Sequence, residues 1–259
     1  MLINHTLEKL RAMKLFGMAD ALQHQLDQPN ISELSFEERL GLLVDMEATK
    51  RENKRLQMLL RNAHFKFPSA CIEDIIWSQK RGLDKSQMLS LANCDWIRAR
   101  ENIGMVGSCG TGKSYLVCAL GNAAARQSMS VQYTRAPRLF EELKLAHADG
   151  TIARKRAKLA KTDLLIIDDF GIDQLGRAER TDLLEIIEDR YANHSTIIAG
   201  QLPIDRWHAH INDATIADAV LDRLLHNAHK ILLSGESMRK TKGGPKISKL
   251  ILNGNEKNL

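Results

Sequence analysis

Apolar and polar positions follow two rhythms along this chain, and the change falls near residue 70. Before it, apolar residues recur at helical spacing. Leu7, Leu10 and Met13 begin one segment, and Met18 to Gln28 forms another that Pro29 stops. Ser35-Phe36-Glu37-Glu38 reads as a capping box opening a third helix that runs to about Asn62. Phe67-Pro68-Ser69 then breaks the pattern, because proline disfavours helical backbone in the residue before it. Residues 70–101 read as a connecting stretch carrying Trp77 and Trp96. Beyond it, short apolar runs alternate with amphipathic segments. Asn102–Val106, Val131–Thr134, Leu164–Asp168, Thr196–Ala199 and Lys230–Leu233 are the expected strands. The clearest helix between them is Arg177–Tyr191, with Leu183, Leu184, Ile187 and Tyr191 on one face. This alternation predicts an α/β fold, a parallel five-stranded sheet between helices. Residues 1–70 would be a small all-helical N-terminal domain, and 71–259 the larger domain.

The first expected strand runs directly into Gly107-Ser108-Cys109-Gly110-Thr111-Gly112-Lys113-Ser114, and an amphipathic helix with Leu116, Val117 and Leu120 follows. This is the G-x-x-x-x-G-K-[ST] phosphate-binding loop in the strand–loop–helix setting that it needs. The glycines let successive backbone N–H groups face an anion, helped by the positive end of the helix. Lys113 would reach the β- and γ-phosphates of ATP, and the Ser114 hydroxyl would help hold Mg²⁺. Leu164-Leu165-Ile166-Ile167 ends in Asp168-Asp169, two carboxylates where a Mg-nucleotide site needs them. Asp168 would bind the Mg²⁺ shell, and Asp169 would orient or polarise the attacking water. Gln201, just past the strand 196–199, falls within reach of a γ-phosphate or that water. Spacing alone leaves Arg223 and Arg239 open between an active-site role and a surface salt bridge, since Asp222 and Glu236 stand close by.

Charge adds a possible partner. The chain has 37 Lys and Arg against 32 Asp and Glu, a mild bias toward a polyanion. Arg154, Lys155, Arg156, Lys158 and Lys161 form one basic run, and Arg239, Lys240, Lys242, Lys246 and Lys249 another. Residues 47–66 add Lys50, Arg51, Lys54, Arg55, Arg61 and Lys66 against Glu47 and Glu52. Few aromatic residues are interleaved with these cations, which favours backbone-directed duplex binding over base stacking. No stretch of about 18 uncharged apolar residues suggests a membrane span, and the charged N-terminus lacks a signal-peptide core. The four cysteines have no C-x-x-C spacing, so reduced thiols in a cytoplasmic protein are expected. His208/His210 and His226/His229 are closely spaced, but no further Cys or acidic cluster completes a metal site.

Four stretches together resemble the IstB-like ATPases, the insertion-sequence transposition helpers of the AAA+ superfamily. These are the phosphate loop, Leu164–Gly171 (LLIIDDFG), residues 216–229 (IADAVLDRLLHNAH) and residues 235–240 (GESMRK). Gly82-Leu83-Asp84 and Asp95-Trp96-Ile97 extend the likeness upstream. Ala92-Asn93-Cys94 departs from it, standing where a glycine-containing turn is expected. The resemblance, to a family close to DnaC-type helicase loaders and DnaA initiators, implies an AAA+ P-loop core. Lys113 and Ser114 then look like the Walker A pair and Asp168 and Asp169 like Walker B. AAA+ enzymes usually carry Glu at the second Walker B position, and the shorter Asp suggests slow, switch-like hydrolysis. Gln201 resembles sensor 1, Arg223 an arginine finger completing a neighbour's site, and Arg239 sensor 2. Little sequence follows Leu252, so the helical lid of larger relatives looks absent or vestigial. In the initiator and loader relatives a helical insertion after the second strand touches DNA, and residues 136–160 occupy that place here.

The reading that results is an ATP-dependent regulator of transposition. It would oligomerise on duplex DNA, with ATP sites between subunits, and recruit and stimulate the transposase of its element. A helicase loader acting on single-stranded DNA is the alternative. A metabolic P-loop kinase fits poorly with the basic runs and the helical N-terminal region.

Overall fold

Every expected strand is present in the computed structural model, which describes residues 2–77, 82–235 and 237–238. The strands are β1 (Asn102–Gly107), β2 (Val131–Arg135), β3 (Leu164–Phe170), β4 (Ser195–Gly200) and β5 (Ala228–Leu233). They form one parallel sheet in the order β2-β3-β4-β1-β5. Strands in such a sheet are covered on both faces and read as unbroken apolar runs, which is why β1, β3 and β4 were conspicuous. Side chains alternate between the two faces. Leu164 and Ile166 enter a core shared with Ile103, Met105, Ile197 and Ala199. Leu165 and Ile167 enter the opposite one, with Ile198, Leu183 and Val220. β5 begins two residues earlier than its apolar pattern suggests, because Asn102 of β1 already pairs with Ala228.

Helix α6 (Lys113–Arg126) covers the first face; α7 (Ala136–Ala148), α8 (Ile152–Lys161), α9 (Arg177–Arg190), α10 (Trp207–Ile211) and α11 (Ala214–Leu225) cover the second. α9 differs from expectation at its end. It buries Leu183, Ile186 and Ile187 together with the guanidinium of Arg190, while Tyr191 lies outside the helix and exposed. Residues 136–160, expected as a helical insertion after the second strand, form α7 and most of α8.

The N-terminal segment forms α1 (Leu2–Ala12), α2 (Phe16–Asp27) and the 28-residue α3 (Phe36–Ala63). The capping box is made: Glu38 N donates to Ser35 Oγ at 3.2 Å and Ser35 N to Glu38 Oε2 at 2.8 Å. The first half of α3 packs on α2. Its last turns join the main core through Leu56, Leu59, Leu60 and Ala63. The connecting stretch holds two short helices, α4 (Lys85–Ala92) and α5 (Asp95–Arg98). Between them Cys94 adopts a left-handed conformation (φ 60°), so the turn forms without the expected glycine. No helix among the described residues is long and apolar enough to cross a membrane. The region after Leu252 lies outside the described residues.

Candidate functional site

The loop 107–112 leaves the carboxyl end of β1 and feeds α6. Gly110 (φ 82°) and Gly112 (φ 97°) take backbone conformations that a side chain would strain. A side chain at Gly110 would also collide with Ser237, whose Oγ lies 2.1 Å from the position of a Cβ there. Met238 N donates to Gly110 O at 2.8 Å, so the segment after β5 straps the loop. Thr111 is fully buried and donates through Oγ1 to Ser108 O at 2.9 Å, closing the turn. The Lys113 ammonium folds back onto the loop, donating to Gly107 O at 2.7 Å and Ser108 O at 2.9 Å. Burial lowers its pKa, and the nearby Asp168 works against that shift. No carboxylate pairs with it among the described residues, so it remains available to an incoming phosphate.

The two acids of β3 have different surroundings. Asp168 is fully buried; its Oδ2 accepts from Tyr133 Oη at 2.8 Å and its Oδ1 from Asp169 N at 2.9 Å. Burial first, then the Asp168 charge, drives the Tyr133 hydroxyl well above its ordinary range, keeping it a donor. Asp169 sits where the β3–β4 register shifts and has φ 59°, a left-handed conformation that Asp tolerates better than most residues. A cavity of about 460 Å³ runs beside the loop, lined by Lys113, Ser114, Asp169 and Gln201 together with Phe67, Ile75 and Tyr115. The loop, Asp169 and Gln201, separate in sequence, thus meet in one place. Asp168, fully buried, is not among the residues that line the cavity.

Arg135, the last residue of β2, was not singled out by sequence reasoning. Its Nε donates to Asp169 Oδ2 at 2.6 Å, so the carboxylate expected to polarise water is already engaged by a cation. Parallel pairing sets Arg135 opposite Asp168, a cross-strand neighbour that no spacing within the sequence reports. The donors at the cavity suit Mg²⁺, a hard cation that takes oxygen ligands. Ser114 offers a hydroxyl, and each Asp168 oxygen, accepting one bond, retains a lone pair for a metal-bound water.

A family model described as IstB-like ATP binding protein matches residues 8–244. The chain belongs to this family. A putative insertion sequence ATP-binding protein of Sinorhizobium fredii (strain NBRC 101917 / NGR234) is 47% identical over 240 residues, covering 93% of this chain and 98% of that one. Among solved structures, DnaI (TM-score 0.56, 21% identity) covers 68% of this chain and 93% of its own. The DnaC helicase loader (TM-score 0.50, 19% identity) covers 63% of this chain and 96% of its own. Those likenesses establish the AAA+ P-loop fold for this IstB-like chain.

The remaining residues named from the sequence fall elsewhere. Arg223 lies in the last turn of α11, at the opposite end of the sheet. Its carbonyl accepts from Asn102 Nδ2 at 3.3 Å, at the very start of β1. Six residues of β1 therefore separate it from the phosphate loop of its own chain, roughly 17 Å of strand. Its guanidinium forms an ion pair with Glu188 (Nε–Oε2 2.5 Å) and lies over the Tyr191 ring at 5.8 Å. Arg239 and the run from Lys240 to Lys249 lie outside the described residues.

The first basic run is less free than its composition suggests. Arg156 binds Asp182 at 2.7 Å and Glu185 at 3.3 Å, and Lys155 is paired with Glu142. Arg154, Lys158 and Lys161 are exposed, with no ion-pair partner among the described residues. On α3, Lys50 is paired with Asp20 and Arg51 with Glu47. Arg55 donates to Ser128 O at 3.4 Å, and Lys54 is exposed. Glu47 has its own structural task. Its Oε2 accepts from Gly17 N at 2.6 Å and Met18 N at 3.2 Å, satisfying free N–H groups at the start of α2. Burial pushes its carboxyl upward, but Arg51 and these two N–H groups outweigh that and hold it low.

Proposed function

We propose that this IstB-like chain is an ATP-dependent, DNA-binding regulator of transposition. ATP would fill the cavity beside Gly107–Ser114 and drive oligomerisation on duplex DNA, and the assembly would recruit and stimulate the transposase of its element. Lys113 would leave the loop carbonyls for the β- and γ-phosphates. Asp169 and Gln201 would orient the attacking water. Mg²⁺, held by Ser114 and the Asp168 shell, would neutralise charge on the phosphates. Arg239 keeps the sensor 2 role that the resemblance implies. Residues 1–70 would serve partner and DNA contacts, and the protein would work in the cytoplasm.

The observation that carries this reading is the separation of Arg223 from Lys113. A guanidinium one strand length from its own loop serves no nucleotide in cis. It fits a finger that completes the site of a neighbouring subunit, making hydrolysis depend on assembly. The insertion-sequence name of the 47%-identical relative supports transposition as the setting. The fold likeness to the DnaC helicase loader supports a second reading, a loader acting on a replicative helicase. Pull-down against the transposase and a replicative helicase separates the two. Electron microscopy with an ATP analogue and duplex DNA tests the assembly, and a protein that stays monomeric overturns it.

A further inference from the structure

Lys66 lies just beyond the end of α3, and two cavities share it as a wall. One is the cavity beside Gly107–Ser114; the other, about 560 Å³, runs along the edge strand β2. The backbone here is held firmly. Ala63 and Phe65 are buried in the core, and Phe65 Cε1 lies 2.5 Å from the position of a Cβ at Gly121 of α6. The chain leaving α3 is therefore seated directly on the helix that begins with Lys113. Lys66 itself is exposed, and its ammonium, 6.0 Å from the centroid of the Phe67 ring, has no ion-pair or hydrogen-bond partner among the described residues. Burial does most to lower the Lys113 pKa, and the Lys66 charge adds to that effect. The carboxylates lining the same cavity are Asp74 and Asp169, and Asp169 is already paired with Arg135. Two cations turned on one cavity repel each other until an anion lies between them.

The second cavity tells which part of a nucleotide Lys66 would meet. There it is joined by Tyr133 and Arg135, whose side chains reach Asp168 and Asp169. Those acids are the ones expected at the Mg²⁺ shell and the attacking water, so Lys66 belongs to the terminal-phosphate end of the site. We infer that Lys66 contacts the γ-phosphate of bound ATP, as a second lysine beside Lys113. The inference rests on the ATP reading above and deepens it, because it makes discrimination between ATP and ADP the work of a residue outside the phosphate loop. Lys113 serves the β- and γ-phosphates together, whereas Lys66 answers to the γ-phosphate alone. Composition groups Lys66 with the cations of residues 47–66; its place at the nucleotide cavity separates it from them. The exit of α3, and with it the N-terminal helices, would thus register which nucleotide is present.

The test measures nucleotide affinity of the full chain by isothermal titration, without DNA and in Mg²⁺ buffer, using β,γ-imido-ATP and ADP. Lys66→Gln should weaken the ATP analogue about tenfold, the size of one charge-assisted contact, and leave ADP within about twofold of wild type. Lys66→Arg, which keeps the charge, should recover most of the lost affinity for the analogue. Binding of a fluorescein-labelled duplex at saturating analogue should match wild type. Equal weakening of analogue and ADP, or unchanged affinity for both, overturns the γ-phosphate assignment. Loss of duplex binding in Lys66→Gln with nucleotide selectivity intact also overturns it, and makes Lys66 a DNA contact. A wild-type protein that binds neither nucleotide overturns the ATP reading itself. Matching thermal melts without nucleotide establish that both variants are folded.

Discussion

The two ends of the sheet treat buried cations in opposite ways. At the carboxyl ends of the strands, Lys113 rests on two loop carbonyls and faces a cavity. At the amino ends, Arg190 is enclosed: its Nε donates to Thr196 Oγ1 at 3.0 Å, and its terminal nitrogens to the carbonyls of Leu159, Thr162 and Ser195. Arg190 ties the end of α9 to the end of α8 and the start of β4, with four of its five N–H donors used inside the fold. Burial lowers its pKa to about 9, with the Asp163 charge pulling the other way. Arg223, its neighbour around the same small cavity, is different again. It touches Glu188 at ion-pair distance, yet its Nε has no aligned hydrogen bond. An enclosed guanidinium bonded to four carbonyl and hydroxyl oxygens is architecture; a partly exposed one, held by one ion pair and by the Ala219 carbonyl at 2.9 Å, keeps donors for a partner.

Removing the cation at each end sharpens this contrast. Lys113→Ala should lower hydrolysis about 10³-fold, since it deletes a preorganised charge at the transferring phosphate, with little change in the melting temperature. Steady-state phosphate release and a thermal melt read the two effects. Arg190→Met should do the reverse. Leaving three buried carbonyls without donors costs on the order of 3 kcal/mol, visible as a lower urea midpoint, while nucleotide affinity in the folded fraction stays near wild type. A stable Arg190→Met protein would break the contrast.

Arg223→Ala belongs between them. It should abolish DNA-stimulated hydrolysis, about 10²-fold at saturating DNA, and leave binding of a fluorescent ATP analogue within about twofold. Equal loss of nucleotide binding would refute a role in trans.

How much of this was legible in one dimension follows from which contacts are local. The phosphate loop is a continuous segment whose glycines, lysine and serine all act within a few residues of each other, and β3 carries its acids at the end of a run too apolar to miss. Arg135 and Tyr133 escaped notice because their partners are made by strand pairing between β2 and β3, which no local spacing reports. The same blindness inflated the basic run 154–161. Glu142 on α7 and Asp182 on α9 neutralise Lys155 and Arg156, and only the fold brings those helices together. On α9 the apolar pattern pointed to Tyr191, whereas the polar Arg190 takes the buried position through carbonyls supplied by α8 and β4.

The smallest expected effect bears on the carboxyl end itself. Asp169 Oδ2 accepts from Arg135 Nε at 2.6 Å, so that oxygen must give up this bond before it can engage a water. The pair is half exposed on the arginine side, so solvent screens it and its worth is at most about 1 kcal/mol. Releasing that restraint corresponds to roughly fivefold in rate. Arg135→Ala should therefore raise hydrolysis in the absence of DNA about threefold to fivefold, measured as phosphate release per subunit. Arg135→Lys, which keeps the charge but loses the fixed guanidinium geometry, should fall between alanine and wild type. Basal hydrolysis that is unchanged or lower in Arg135→Ala would mean that the arginine positions Asp169 for reaction instead of restraining it.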